Sequence, residues 1–114
     1  MANVNQPKTV IIYRKLDDVT VEYFNQHPEE VDDFLTEIFA DYAQDGDSAT
    51  LLSALRVIAQ VKGISNMAKE IGMSRQGLQK ALSAKGNPRL DSINAIMRAM
   101  GYQLMPSRLG APVN

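Results

Sequence analysis

The 114-residue chain has no cysteine and a single histidine, which excludes disulfides and thiolate metal sites and leaves no zinc or catalytic constellation of the usual kinds. Its residues are 45% apolar and 22% charged, as in soluble globular chains of single-domain size, and no apolar run approaches the roughly 20 residues that span a bilayer. The net charge of −1 hides a division that points to two kinds of partner, one polyanionic and one basic: residues 1–61 carry four basic against eleven acidic side chains, a balance of −7, and residues 62–114 carry eight against two, a balance of +6.

The first residues, Met1 to Lys8, lack the apolar block of a signal peptide, so the cytoplasm is the expected location. Thr9-Val10-Ile11-Ile12-Tyr13 is β-branched and aromatic and reads as a short strand or an ordered arm. Asp17-Asp18-Val19-Thr20 opens a helix that should stop before His27-Pro28, because a residue preceding proline avoids the helical region. His27 itself reads as a loop residue rather than a metal ligand.

Pro28 suits the first turn of a second helix, with Glu29 and Glu30 where the helix dipole favours acids. Val31, Phe34, Leu35, Ile38, Phe39 and Tyr42 form its apolar stripe, and Asp45-Gly46-Asp47 ends it. Asp47 or Ser48 caps a third helix with the stripe Leu51, Leu52, Leu55, Ile58 and Ala59, closed by Lys62-Gly63. Three short helices follow. The first spans 65–71 and the second 74–84, with Ser74 as N-cap; after the Gly86-Asn87-Pro88 turn, the third begins at Asp91 or Ser92. The third should bury Leu90, Ile93, Ile96, Met97 and Met100 and end at Gly101, and Tyr102 to Met105 is a candidate for a brief strand. Met67, Met73, Met97 and Met100 read as adaptable core filler.

The stretch from Ile64 to Ser83 reads as one functional unit. Two helices crossing steeply on a short turn need a small residue where they nearly touch and a turn residue tolerant of positive φ; Ala68 and Gly72 supply these. Leu78, Ala81 and Leu82 hold the second helix to the core, which turns its polar residues outward. Arg and Lys pair with guanine and Gln with adenine in the major groove, so Arg75, Gln76, Gln79 and Lys80 are the candidates for base contact. Asn66, Lys69, Ser74, Lys85, Asn87 and Arg89 suit phosphate contacts, which position a protein without specifying sequence. Gly77 costs about 1 kcal/mol of helix propensity against alanine; close approach to the groove and packing against the following helix account for it equally well.

From Pro28-Glu29-Glu30-Val31 through Gly63-Ile64-Ser65, Ala68, Gly72-Met73-Ser74-Arg75-Gln76-Gly77-Leu78, Ala81-Leu82-Ser83, Gly86-Asn87-Pro88 and Ala99-Met100-Gly101-Tyr102, the sequence resembles the HigA-like addiction-module antidote proteins, which belong to the lambda-repressor-like (Cro- and Xre-type) helix-turn-helix superfamily. The resemblance implies an antitoxin that neutralises a RelE-, ParE- or HigB-like toxin and represses its own operon as a homodimer on double-stranded operator DNA.

The expected fold is all-α: a five- to six-helix lambda-repressor-like helix-turn-helix domain with an N-terminal helical extension and, as further candidates, short terminal strands. The expected division is an arm or short strand over 1–16, an acidic helical extension over 17–46, the helix-turn-helix DNA-binding domain over 47–105 and a flexible tail over 106–114. The alternative function is a stand-alone prophage-type transcriptional regulator with no toxin partner. No catalytic residue, metal or cofactor is expected, because no nucleophile–base arrangement is visible, and no membrane partner is expected.

Overall fold

The computed structural model describes residues 18–110, so the expected strand at Thr9 to Tyr13, the rest of the 1–16 arm and the last four residues lie outside the described residues. Helix α1 is described over residues 18–26 and stops at His27, whose amide donates to the Tyr23 carbonyl at 2.8 Å. A 3-10 turn, Pro28–Glu30, then leads straight into α2, Val31–Asp45, with Asp32 and Asp33 in its first turn. Gly46 ends α2 in the left-handed conformation, at φ 67°. Asp47 caps α3, Ser48–Lys62, by accepting from the Thr50 amide at 3.1 Å and the Thr50 hydroxyl at 2.6 Å; these bonds lower its pKa from the ordinary 3.8.

Three short helices follow: α4, Ile64–Ile71; α5, Arg75–Ala81; and α6, Leu90–Ala99. No strand occurs among the described residues, and no helix among them is long and apolar enough to cross a membrane.

The core is organised on α3. That helix buries Leu51, Leu52, Ala54, Leu55, Val57, Ile58 and Ala59, a wider face than its expected stripe, because α2 packs on one side and α4 on another. Leu55 and Ile58 join Leu78 and Leu82 of the α5 region and Ile96 of α6 as the largest side chains wholly shut from solvent. Phe24 of α1 is buried against Phe34 of α2, with ring centroids 4.9 Å apart. Met67, Met97 and Met100 are core residues, and Met73 packs against them half-buried.

Four expectations need correction. Tyr42 is 39% exposed rather than core, because among the described residues no third element covers the α2–α3 hairpin tip over 41–48. Helix α6 begins at Leu90 behind Arg89, not at Asp91 or Ser92, and Leu90 is 76% exposed in a first turn that precedes the helix's contact with the core. Helix α5 ends at Ala81 rather than at residue 84, since the Ser83 amide turns back three residues to the Lys80 carbonyl. The segment from Tyr102 to Met105 finds no strand partner among the described residues; Tyr102 and Leu104 pack on the core instead, alternating with exposed Gln103 and Met105.

Tyr102 ties the end of the chain back to the extension. Its amide donates to the Met97 carbonyl at 2.8 Å, its hydroxyl donates to Asp32 of α2, and Lys62 Nζ of α3 lies 5.8 Å from the ring centroid. Partial burial, then the hydrogen bond to Asp32 and that carboxylate's charge, push the phenol pKa from 10.0 to about 12. A pKa raised by folding means that the folded chain holds the proton more tightly, so this stabilisation is complete below about pH 10 and is lost as pH rises through 12. Urea unfolding measured between pH 9 and 12 should show wild-type stability falling more steeply than that of Tyr102→Phe; parallel curves would refute the tie.

Candidate nucleic-acid interface

Helices α4 and α5 are joined by a three-residue turn built entirely from local signals. Gly72 sits at φ 77°, and the Met73 amide reaches back to the Ala68 carbonyl at 2.8 Å, which closes α4. Ala68 is 2% exposed where the helices meet. Ser74 is extended, at φ −72° and ψ 156°, and its hydroxyl accepts from the Gly77 amide at 2.9 Å.

Gly77 proves to serve that cap. A Cβ built on it would stand 3.0 Å from Ser74 Oγ and 3.8 Å from Met73 Cε, so a larger residue would press on the hydroxyl that starts the helix.

Leu78 and Leu82 are fully buried, and Ala81 is half-buried beside them. That inner face leaves Arg75, Gln76 and Lys80 exposed, whereas Gln79 is half-buried. Among the candidates for phosphate contact, Lys85, Asn87 and Arg89 line one open groove of about 450 Å³, together with Lys80, Ser83, Pro88 and Ser92. Asn66, Lys69 and Ser74 are exposed but line no part of that groove. The groove thus gathers three cations between the end of α5 and the start of α6. Asp91 offsets them only at the rim: its carboxylate lies 3.5 Å from Arg89 Nε, with both side chains largely exposed, a geometry worth little energy.

The loop from Ser83 to Arg89 depends on a residue that the sequence marked only as part of a turn. A Cβ on Gly86 would lie 2.4 Å from the Ala81 carbonyl oxygen and 2.9 Å from that of Lys80. Backbone therefore packs on backbone there, and the Gly86 amide donates to the Ser83 carbonyl at 2.8 Å. Ser92, which also lines the groove, carried no sequence signal beyond its expected place near a helix start.

Away from this face, His27 Nδ1 lies 3.5 Å from a Glu29 oxygen and 3.9 Å from a Glu30 oxygen. These three residues have donor atoms close enough together to share a metal ion. Glu30 already accepts from the Tyr23 hydroxyl at 2.7 Å, and Tyr23 stacks on His27 with centroids 4.4 Å apart. Glu30 therefore already has a hydrogen-bond partner within the cluster, and His27 lies between α1 and the 3-10 turn, outside either helix.

Forcing a methyl group into the Gly86 contact should destabilise the folded chain by about 1–3 kcal/mol, the range for overpacking. Thermal unfolding of Gly86→Ala tests this; an unchanged midpoint would mean that the loop does not lie against the end of α5.

No solved structure matches the chain. An uncharacterised protein of Haemophilus influenzae is 36% identical over 89 residues, a span covering 78% of this chain and 88% of that protein. The profile of a family described as probable addiction module antidote proteins matches residues 14–107, from before α1 to beyond Tyr102. The chain therefore belongs to the probable addiction module antidote protein family.

Proposed function

We propose that this protein is the sequence-specific DNA-binding antitoxin of a type II toxin–antitoxin module, which represses its own operon through α5 and neutralises a RelE-, ParE- or HigB-like toxin. The observation that carries the DNA half is the presentation of α5. Its start is capped by Ser74 and its inner face is sunk in the core, and Arg75, Gln76 and Lys80 stand exposed beside a groove lined by Lys85 and Arg89. Side chains at the start of a helix that leaves a short turn are the ones that meet base edges in the major groove, and loop cations beside it meet phosphates. On this reading α4, the turn and α5 form a helix-turn-helix.

Gln79 contributes from a half-buried position, reaching its base once the helix is seated. Two copies related by a twofold axis would place their α5 helices on half-sites about 34–36 Å apart, or a multiple of that, on a pseudo-palindromic operator.

Membership of the antidote family supports the toxin half. The excess of acid in residues 1–61 suits a basic toxin, for which charge complementarity chiefly raises association rate and partner choice. Neither task requires a catalytic group or a cofactor.

Electrophoretic mobility shift on the promoter of its own operon tests the DNA half. Arg75→Ala and Gln76→Ala should each weaken binding by about 1–3 kcal/mol and relax preference at the base they read; unchanged affinity would remove α5 from the interface. Co-expression with the neighbouring gene tests the toxin half. That gene alone should arrest growth, and its product should co-purify with this protein; a harmless or non-binding neighbour would refute the antitoxin assignment.

A further inference from the structure

We infer that Arg56 of α3 is a positioning residue for the exposed face of α5, holding the far end of that helix without touching DNA. The inference rests on the reading of α5 as the helix that reads bases. Helix α5 has seven residues, and helices below roughly 12 residues are marginal on their own. Its direction is therefore set by what grips its two ends and its inner face.

The N-terminal end is held by Ser74 and the glycine that makes room for its hydroxyl. At the other end the last carbonyls of a helix have no partner within it and must find one elsewhere. The Lys80 carbonyl accepts from the Ser83 amide at 3.2 Å and the Ser83 hydroxyl at 2.9 Å, and the Ser83 carbonyl accepts from the Gly86 amide. All of these bonds are local. The carbonyl of Leu82, the C-cap residue, accepts instead from Arg56 Nη1 at 3.3 Å, across a separation of 26 residues.

Two features give that bond leverage. Helix α5 packs chiefly on α4, so a tie from α3 to its end fixes a second point and limits swinging about the α4–α5 turn. The guanidinium also places positive charge at the negative end of the helix dipole, in a charge-assisted bond from a half-buried side chain. A displacement at Leu82 would be passed back along less than two helical turns to Lys80, Gln79 and Gln76. Arg56 thus influences recognition through geometry, whereas Lys85 and Arg89 act through charge.

The two roles have different signatures in salt titrations. Loss of a phosphate contact lowers the slope of log affinity against log salt by about one and weakens all sequences alike; loss of a positioning residue leaves the slope and erodes discrimination. Arg56→Met keeps much of the apolar stem and removes the donors. It should weaken promoter binding about tenfold with unchanged salt slope. It should also lower the preference for promoter over unrelated DNA and speed amide exchange at Ser83 and Gly86 but not in α2. Arg56→Lys, which retains a charged donor, should recover part of each effect, and Lys85→Met should reduce the slope and spare the preference.

A reduced slope with intact preference in Arg56→Met would make Arg56 a phosphate ligand and overturn the inference. A lower thermal midpoint with normal promoter affinity and preference would make it merely structural and overturn the inference equally. Should the wild type ignore its promoter, the DNA reading fails separately; the exchange measurement then decides, and unchanged protection at Ser83 and Gly86 refutes the hold of Arg56 on α5.

Discussion

Leu78 on the inner face of α5 and Leu82 at its C-cap lie one turn apart, and neither exposes any surface. They share a single core cluster with Leu55 and Ile58 of α3 and Ile96 of α6. Truncating such a residue costs about 2–5 kcal/mol, a large part of the roughly 5–15 kcal/mol that keeps a domain folded. Once these two side chains are committed inward, helical geometry turns Gln76 and Lys80 outward, while Arg75, on the same stripe as Leu78, is exposed as the first residue of the helix. A few buried methyl groups thus determine which polar residues a partner meets.

The same core explains how two oppositely charged halves coexist in one chain. Helix α3 is a shared wall, covered by α2 from the acidic half and adjoining α4 from the basic half. Seven of its fifteen residues are buried, so it can be used from both sides. Tyr102 closes the arrangement by leaving the end of α6 and meeting Asp32 of α2 and Lys62 of α3. Acid therefore stays on the extension, and the cation-lined groove opens between α5 and α6. The separation keeps the two charges on different surfaces, as the proposed function asks of a chain with one polyanionic and one basic partner.

What was legible in the sequence was local. The caps at Asp47 and Ser74, the stops at Gly46, Gly63 and Gly72, and the apolar positions that recur with helical spacing depend on near neighbours, and each is observed. The errors arose where periodicity continued beyond the packing that would use it. Tyr42 and Leu90 belong to apolar stripes but lie past the edge of their partners, and residues 82–84 have the composition of a helix but are drawn into a tighter turn. The alternation from Tyr102 to Met105 reflects a coil lying on the core rather than a strand. The contacts of Gly86, which the sequence marks only as part of a turn, and of Arg56, which it does not mark, are illegible for a different reason. Their importance rests on the end of α5 coming to them, one through a backbone contact and the other across 26 residues, and neither proximity leaves a trace in spacing.

Titration of ¹⁵N-labelled protein with the promoter DNA of its own operon at low ionic strength, followed by amide chemical-shift mapping, addresses the central claim most directly. The account predicts that the largest changes fall on Ser74 to Lys80 and on the Lys85 to Arg89 loop, with α2 nearly unaffected. Changes centred on α1 and α2, or none at all, would contradict it.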